Sequence, residues 1–350
     1  MGRRNREWKL FLDLCAPLSH EIEELPTDDE WRRILSRLEQ TRFGALAYYN
    51  LRARGFEDAV PAQVMAHLRT EHARALAHYH LLGEMVSPHL EALAHEVDFL
   101  VLKGTAWAHT VYPEPHLRQS GDIDLLVKEA DQAAAGRELE CRGAEVSWPL
   151  YRDHGPTYRL RGLGGGSVFL ELHPDLSMPS MFPYLRGGTA EEGATSERLW
   201  GTPTRLTSPS VGYIQVWCQL ARDLRHGGYA RYLIDIMHLA AAEAYDAVWV
   251  REVMAASGLR GLEFCGLTLL GPSRPPASPQ RLAAVATAAF RMGLTSRWVR
   301  SSRIRANAAA IASLLLWDHA DDRRRYALGV AGSLVPRLQG RLRSLLGSRA

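Results

Sequence analysis

Apolar residues recur at two different periods along the chain, and the change of period divides it. Up to about residue 95 the spacing is helical. "PTDDEWRRILSRLEQ" opens on Thr27, with Glu30 three residues on, the signature of a capping box. Trp31, Ile34, Leu35 and Leu38 then fall on one helical face. Pro61 begins a second, longer helical pattern through Val64, Leu68, Leu76, Tyr79 and Leu82. From about 96 to 175 the apolar runs shorten. "VDFLVLKG" ends in glycine and predicts a strand, "TAWAHTVY" suits a helix, and "DIDLLV" predicts a second strand. "ADQAAAGRELECRGA" predicts a helix ending near Gly143, and "SVFLELHPDL" a third strand stopped by Pro174. "GLGGGS", from Gly162 to Ser167, lies between strands and opens no helix, so it reads as a hairpin turn rather than a phosphate loop. Residues 176–207 are rich in Gly, Pro and Ser and read as a linker. Helical spacing returns at Ser208-Pro209, an N-cap followed by a first-turn proline, and continues in "YARYLIDIMHLAAAEA" and "LAAVATAAFRM". The expectation is an α/β (α+β) fold. A small mixed-sheet core over 96–205 is flanked by helical regions at 1–95 and 206–350.

Composition narrows the class. With 350 residues and 46% apolar content the chain can bury a substantial core. Cys15, Cys141, Cys218 and Cys265 are scattered without a CxxC pair, which argues against a zinc ribbon or disulfide scaffold and suits a reducing cytoplasm. The longest apolar run, "AAAIASLLLW" at 308–317, is too short to span a bilayer, and no integral membrane segment is expected. Net charge is +3, but Arg291 to Ala350 holds twelve Arg against three Asp. Such a tail suits nucleic acid, an acidic peptide or a lipid surface, and more commonly is a solvated helix face. Lysine is scarce: Lys9, Lys103 and Lys128 are the three in the chain.

The candidate chemistry lies in "LKGTAWAHTVYPEPHLRQSGDIDLLV". Successive side chains of a strand face opposite ways, so Asp122 and Asp124 share a face while Ile123 and Leu125 take the other. On the third strand Phe169, Glu171 and His173 share a face opposite Val168, Leu170 and Leu172. If the two strands are neighbours, Glu171 joins the aspartates. Three carboxylates on one sheet face form a hard oxygen site suited to Mg²⁺, and a pair of such ions can clamp an in-line phosphoryl displacement. Gly104-Thr105 lies between strand and helix, where backbone N–H groups attract phosphate and glycine permits close approach. Thr105 adds a hydroxyl, and Lys103 and Arg118 add positive charge. Each feature alone has a plainer explanation: a solvated acidic edge, a turn glycine, a surface lysine, a structural histidine at His173. The order strand–Gly–Thr–helix, then Asp-x-Asp, then Glu on a strand carries the specificity. Arg231 and Asp235, four apart, form either an intrahelical pair worth a few tenths of a kcal/mol or a substrate-positioning pair.

That order resembles the nucleotidyltransferase superfamily of the DNA polymerase β type. More narrowly, the quoted stretch resembles a bacterial nucleotidyltransferase family with an "LKG…YP.P..R..DIDLLV" signature. "VFLELHPDL" is similar to its third-carboxylate strand and "RYLIDIMHL" to its downstream helix, so the resemblance spans about residues 20–335. It implies transfer of an NMP from an NTP, with ATP expected, to a hydroxyl or similar acceptor on a small molecule, natural product or peptide, releasing pyrophosphate. Asp122 and Asp124 would bind two Mg²⁺ ions, and Glu171 would bind the catalytic ion and help deprotonate the acceptor. Gly104 and Thr105 would hold the triphosphate, and Lys103 and Arg118 would neutralise it. His173, Arg231, Asp235 and His226, the histidine nearest the start of the downstream helix, would position substrate. Two departures stand out: Lys103-Gly104-Thr105 replaces the superfamily's Gly-Ser pair, and the gap to Asp122 is longer than in the broad superfamily. Two further classes stay open, a module that holds nucleotide without turnover and an RNA-end nucleotidyltransferase suggested by the basic C-terminal region. The tail lacks the aromatic interleaving of a single-strand platform, so nucleic acid is not the expected partner. The acceptor and the oligomeric state are left open.

Overall fold

A computed structural model describes residues 3–148, 155–162, 166–176, 187–223 and 229–256. His226, the tip of the "GLGGGS" turn, the helices expected beyond 256 and the basic tail lie outside the described residues. Two compact units are distinguished, and Met1–Leu176, Arg186–Val216 and Ala230–Val250 make up the first, which holds the sheet and every side chain of the candidate site described below.

The chain begins with α1 (Arg3–Cys15), α2 (Asp28–Thr41), α3 (Gly44–Ala53) and the long α4 (Ala62–Glu96). The start of α2 follows its sequence signal: the Thr27 N–H donates to Glu30 Oε2 at 2.9 Å, closing the capping box. Asp28, Asp29 and Glu30 place negative charge on its first turn, and Trp31, Ile34 and Leu38 are buried. The α/β part follows as β1 (Phe99–Leu102), α5 (Lys103–Thr110), β2 (Asp122–Val127), α6 (Gln132–Cys141), β3 (Glu145–Trp148), β4 (Thr157–Arg161) and β5 (Ser167–His173). After α7 (Gly187–Ala190) come β6 (Thr195–Leu199) and β7 (Thr202–Leu206), then α8 (Pro209–Asp223), α9 (Tyr229–Ala240) and α10 (Ala247–Ala256). At the start of α8 the Val211 N–H donates to Ser208 Oγ at 3.3 Å, so Ser208 is the cap its sequence suggests.

The strands form one mixed seven-stranded sheet in the order β3-β4-β5-β2-β1-β7-β6. β1 runs antiparallel to β2 and parallel to β7, and β2 runs parallel to β5. All four residues of β1 are buried, as expected of a strand covered on both faces. The "GLGGGS" turn joins β4 to β5 as an antiparallel hairpin, and the Gly162 N–H donates to Gly166 O at 2.9 Å. The stretch expected as a linker is corrected here: within 176–207, β6 and β7 pair as a hairpin and extend the sheet at the β1 edge. Its Ser, Thr and Pro content hid two five-residue strands, and Pro203 in β7 is exposed. The hairpin turns at Trp200 (φ 50°) and Gly201 (φ 89°), both left-handed, as a tight two-residue turn between twisted strands requires.

Candidate active site

β2 and β5 lie side by side in a register that pairs Asp122 with Phe169, Asp124 with Glu171 and Leu126 with His173. Alternation does the rest. Ile123, Leu125, Leu170 and Leu172 are fully buried on one face, while Asp124, Glu171 and His173 come together on the other. One ligand atom from each of these three lies within 4.8 Å of the others. His173 Nε2 is 2.7 Å from Asp124 Oδ1 and 3.4 Å from Glu171 Oε2. The short contact makes Nε2 the donor to Asp124, which fixes that tautomer by argument from the hydrogen bond.

Lys103 enters from the β1–α5 junction. Its ammonium pairs with Asp124 Oδ1 and lies 3.2 Å from His173 Nε2. Its backbone N–H donates to Gln215 Oε1 at 3.3 Å, and Gln215 Nε2 in turn donates to Leu176 O at 3.0 Å. Gln215 had no local pattern to announce it in the sequence, because its role depends on α8 coming within reach of Lys103, 112 residues earlier. Ser120, two residues before Asp122, was a weaker omission. Its Oγ lies 2.9 Å from Asp122 O and 3.4 Å from Asp122 Oδ1.

The charges are unevenly matched. Burial and the neighbouring Asp124 carboxylate push Asp122 above the usual carboxylate range, while Lys103 opposes them. Burial also acts to raise Asp124, but the Lys103 charge and the His173 hydrogen bond outweigh it and hold that carboxyl well below its ordinary value. Glu171 is lowered chiefly by its hydrogen bond with His173, against burial. Its side chain is 25% exposed, against 5% for Asp124. Three carboxylates thus share one close ammonium. That excess of negative charge on converging carboxylate oxygens fits a hard divalent cation, while His173 Nε2, as a donor, steadies the oxygens.

Gly104 and Thr105 form the first turn of α5 and are both buried. A Cβ on Gly104 would lie 3.1 Å from both Arg118 Nη1 and Ser120 Oγ, tighter than most side chains tolerate, so the backbone here closely approaches polar groups. Arg118 is itself committed. Its Nε and Nη2 donate to Asp235 Oδ1 and Oδ2 at 2.6 and 2.7 Å, and its Nη1 donates to Gln119 O at 2.8 Å. Tyr112 donates to Asp235 Oδ1 at 2.7 Å. Asp235 therefore takes partners 117 and 123 residues away, rather than serving as half of a local helical pair. Burial acts to lower Arg118, but the Asp235 carboxylate raises it overall. Arg231, one turn earlier on α9, donates to Gln119 O, and burial followed by the Arg118 charge lowers it to about 10. Thr105, Arg118 and Ser120 also line a small pocket whose other wall includes His78 and Tyr79 of α4.

The family described as uncharacterised nucleotidyltransferases matches residues 27–271, and the chain belongs to it. A solved structure similar to this chain is that of an antigenic nucleotidyltransferase-like protein from Paracoccidioides brasiliensis. The two share 18% identity at a TM-score of 0.35, over 54% of this chain and 92% of that one. No curated protein matches the chain. Among the described residues, no helix is long and apolar enough to cross a membrane.

Proposed function

We propose that this protein transfers an NMP from an NTP, with ATP as the expected donor, to a hydroxyl or similar group on a small molecule, natural product or peptide, releasing pyrophosphate. The observation that carries the reading is the register of Asp124 against Glu171, which sets a third carboxylate beside the Asp-x-Asp pair. Asp122, Asp124 and Glu171 would hold Mg²⁺, two ions in the full complex, with His173 bonded to the same oxygens. Bound there, Mg²⁺ supplies neutralisation of triphosphate charge for an in-line displacement.

The chain's own residues divide the remaining work. The α5 N-terminus at Gly104 and Thr105 receives phosphate oxygens. Lys103 supplies charge to the triphosphate, and Arg118 supports that end of the site from behind, through Asp235 and the Gln119 carbonyl. Glu171, more exposed than Asp124, is the group that takes the acceptor proton on Oε2 as the new P–O bond forms and pyrophosphate leaves. The chemistry would reside in residues 96–205.

The test is calorimetric titration of each NTP with and without Mg²⁺, on wild type and on Asp122→Ala with Asp124→Ala. Metal-dependent binding of an NTP, lost in the double variant, is the expected result. Transfer of a labelled α-phosphate to metabolite fractions then finds the acceptor. Binding that ignores both metal and the double substitution would sink the assignment. One observation favours a second reading, a module that binds nucleotide without turnover: the Lys103 ammonium already rests on Asp124. Tight nucleotide binding with no label transfer to any fraction would select it. RNA-end transfer drew on the basic tail, which lies outside the described residues.

A further inference from the structure

Lys103 is an unusual residue in an unusual place. Its φ of 53° lies in the left-handed region, which glycine adopts freely and a lysine does not. The chain has 29 glycines, yet one of its three lysines stands here. The strained backbone is held from outside by Gln215, whose own amide is anchored on Leu176 O. The side chain then runs inward, 13% exposed, and its ammonium meets Asp124 Oδ1 beside His173. Asp124 is the most deeply engaged carboxylate of the cluster, accepting from Lys103 and His173 on the same oxygen. A divalent cation liganded by Asp124 and Glu171 would sit against that ammonium, and two cations at such a separation repel. Lysine, unlike arginine, is a compact charge on a flexible four-carbon stem, so it can leave the cluster without unfolding α5.

We propose that Lys103 is the resident cation of the carboxylate cluster: it competes with divalent metal for Asp124, and it is drawn off to the triphosphate when metal and nucleotide arrive together. The inference rests on the metal–triphosphate reading above and adds a coupling to it. Metal alone binds weakly because it must displace the ammonium. Nucleotide alone binds weakly because Lys103 is held by Asp124. Together each removes the obstacle to the other, and the coupling is reciprocal. The strain at Lys103 then has a use, since it aims a mobile charge at a point both partners need.

The experiment is titration of MgCl₂ by calorimetry into metal-free full-length protein, with and without an ATP analogue carrying a methylene between its α and β phosphorus atoms. Wild type, Lys103→Met, Lys103→Gly and Asp124→Asn are compared. In wild type the analogue should tighten Mg²⁺ binding about tenfold or more. Both Lys103 variants should bind Mg²⁺ alone about tenfold more tightly than wild type and lose most of the analogue's effect. The metal-free Lys103→Met protein should also melt at lower temperature than wild type and recover on adding Mg²⁺. Lys103→Gly removes the ammonium at a backbone angle glycine prefers, so a folding defect in the methionine variant does not block the measurement. If Asp124→Asn abolishes Mg²⁺ binding while both Lys103 variants bind it like wild type, the cluster is a metal site and the competition is refuted. If no form binds Mg²⁺ even with the analogue, the competition and the reading beneath it fail together.

Discussion

Two groups of buried charge lie close together in this fold and are built on opposite rules. Around Asp235, a planar guanidinium meets a carboxylate with two bonds, a tyrosine hydroxyl adds a third, and Asp235 is 0% exposed. Arg118 and Asp235 are geometrically matched, the condition under which a buried ion pair holds a structure together. Around Asp124, three carboxylates crowd one ammonium, and Asp122 is pushed toward its neutral form by burial and by its neighbour. The first group spans 117 residues and fastens α9 to the loop before β2. The second leaves negative charge uncompensated in a place a cation can enter. Within a few residues, then, the chain spends buried charge once on cohesion and once on a site. The difference lies in how completely each charge is matched, not in how deeply it is buried.

The contrast can be broken most directly at Asp235. Asp235→Ala leaves Arg118 buried without its carboxylate and should cost about 3–5 kcal/mol in denaturant unfolding. A cost below about 1 kcal/mol would mean that Arg118 can turn elsewhere, and would return it to the list of direct phosphate ligands. Asp122→Asn should behave in the opposite sense. It should cut NMP transfer about 10²–10³-fold, the usual effect of deleting one preorganised electrostatic group, without lowering the melting temperature of the metal-free protein. A stability loss as large as that of Asp235→Ala would erase the distinction. Tyr112→Phe removes one hydrogen bond while Arg118 still satisfies Asp235, so a loss of about 1 kcal/mol is expected. The smallest effect is in pH. Asp122 is raised in the folded chain, which therefore binds its proton before the unfolded chain does. In the presence of chelator, wild type should gain stability relative to Asp122→Asn as the pH falls from neutrality toward the ordinary aspartate value of about 3.9. Asp124 is depressed, so its contribution is present above about pH 4 and is lost on further acidification in both proteins. Parallel stability–pH curves for the two proteins would show that Asp122 carries no such strain.

Much of this arrangement is local and was readable from the chain. Period-two alternation alone puts Asp122 and Asp124 on one face of their strand, Glu171 and His173 on one face of theirs, and leucines and isoleucine behind them. The capping box at Thr27 and the Ser208 cap are likewise short-range chemistry, and both form as written. Other features depended on which segments meet. β6 and β7 are short and polar enough to pass for a linker, and they become strands because the β1 edge offers them backbone partners. Arg118 looked like a free charge near a glycine turn until α9 brought Asp235 to it. Lys103 looked like a phosphate ligand, and its place on Asp124 follows from a left-handed backbone that Gln215 of α8 holds. The sequence by itself determined which side chains share a face, because that follows from the geometry of neighbouring residues. Only the tertiary structure decided which charges are spent on each other and which remain to bind something else. Pairing depends on distances between residues a hundred positions apart, and no local period encodes those.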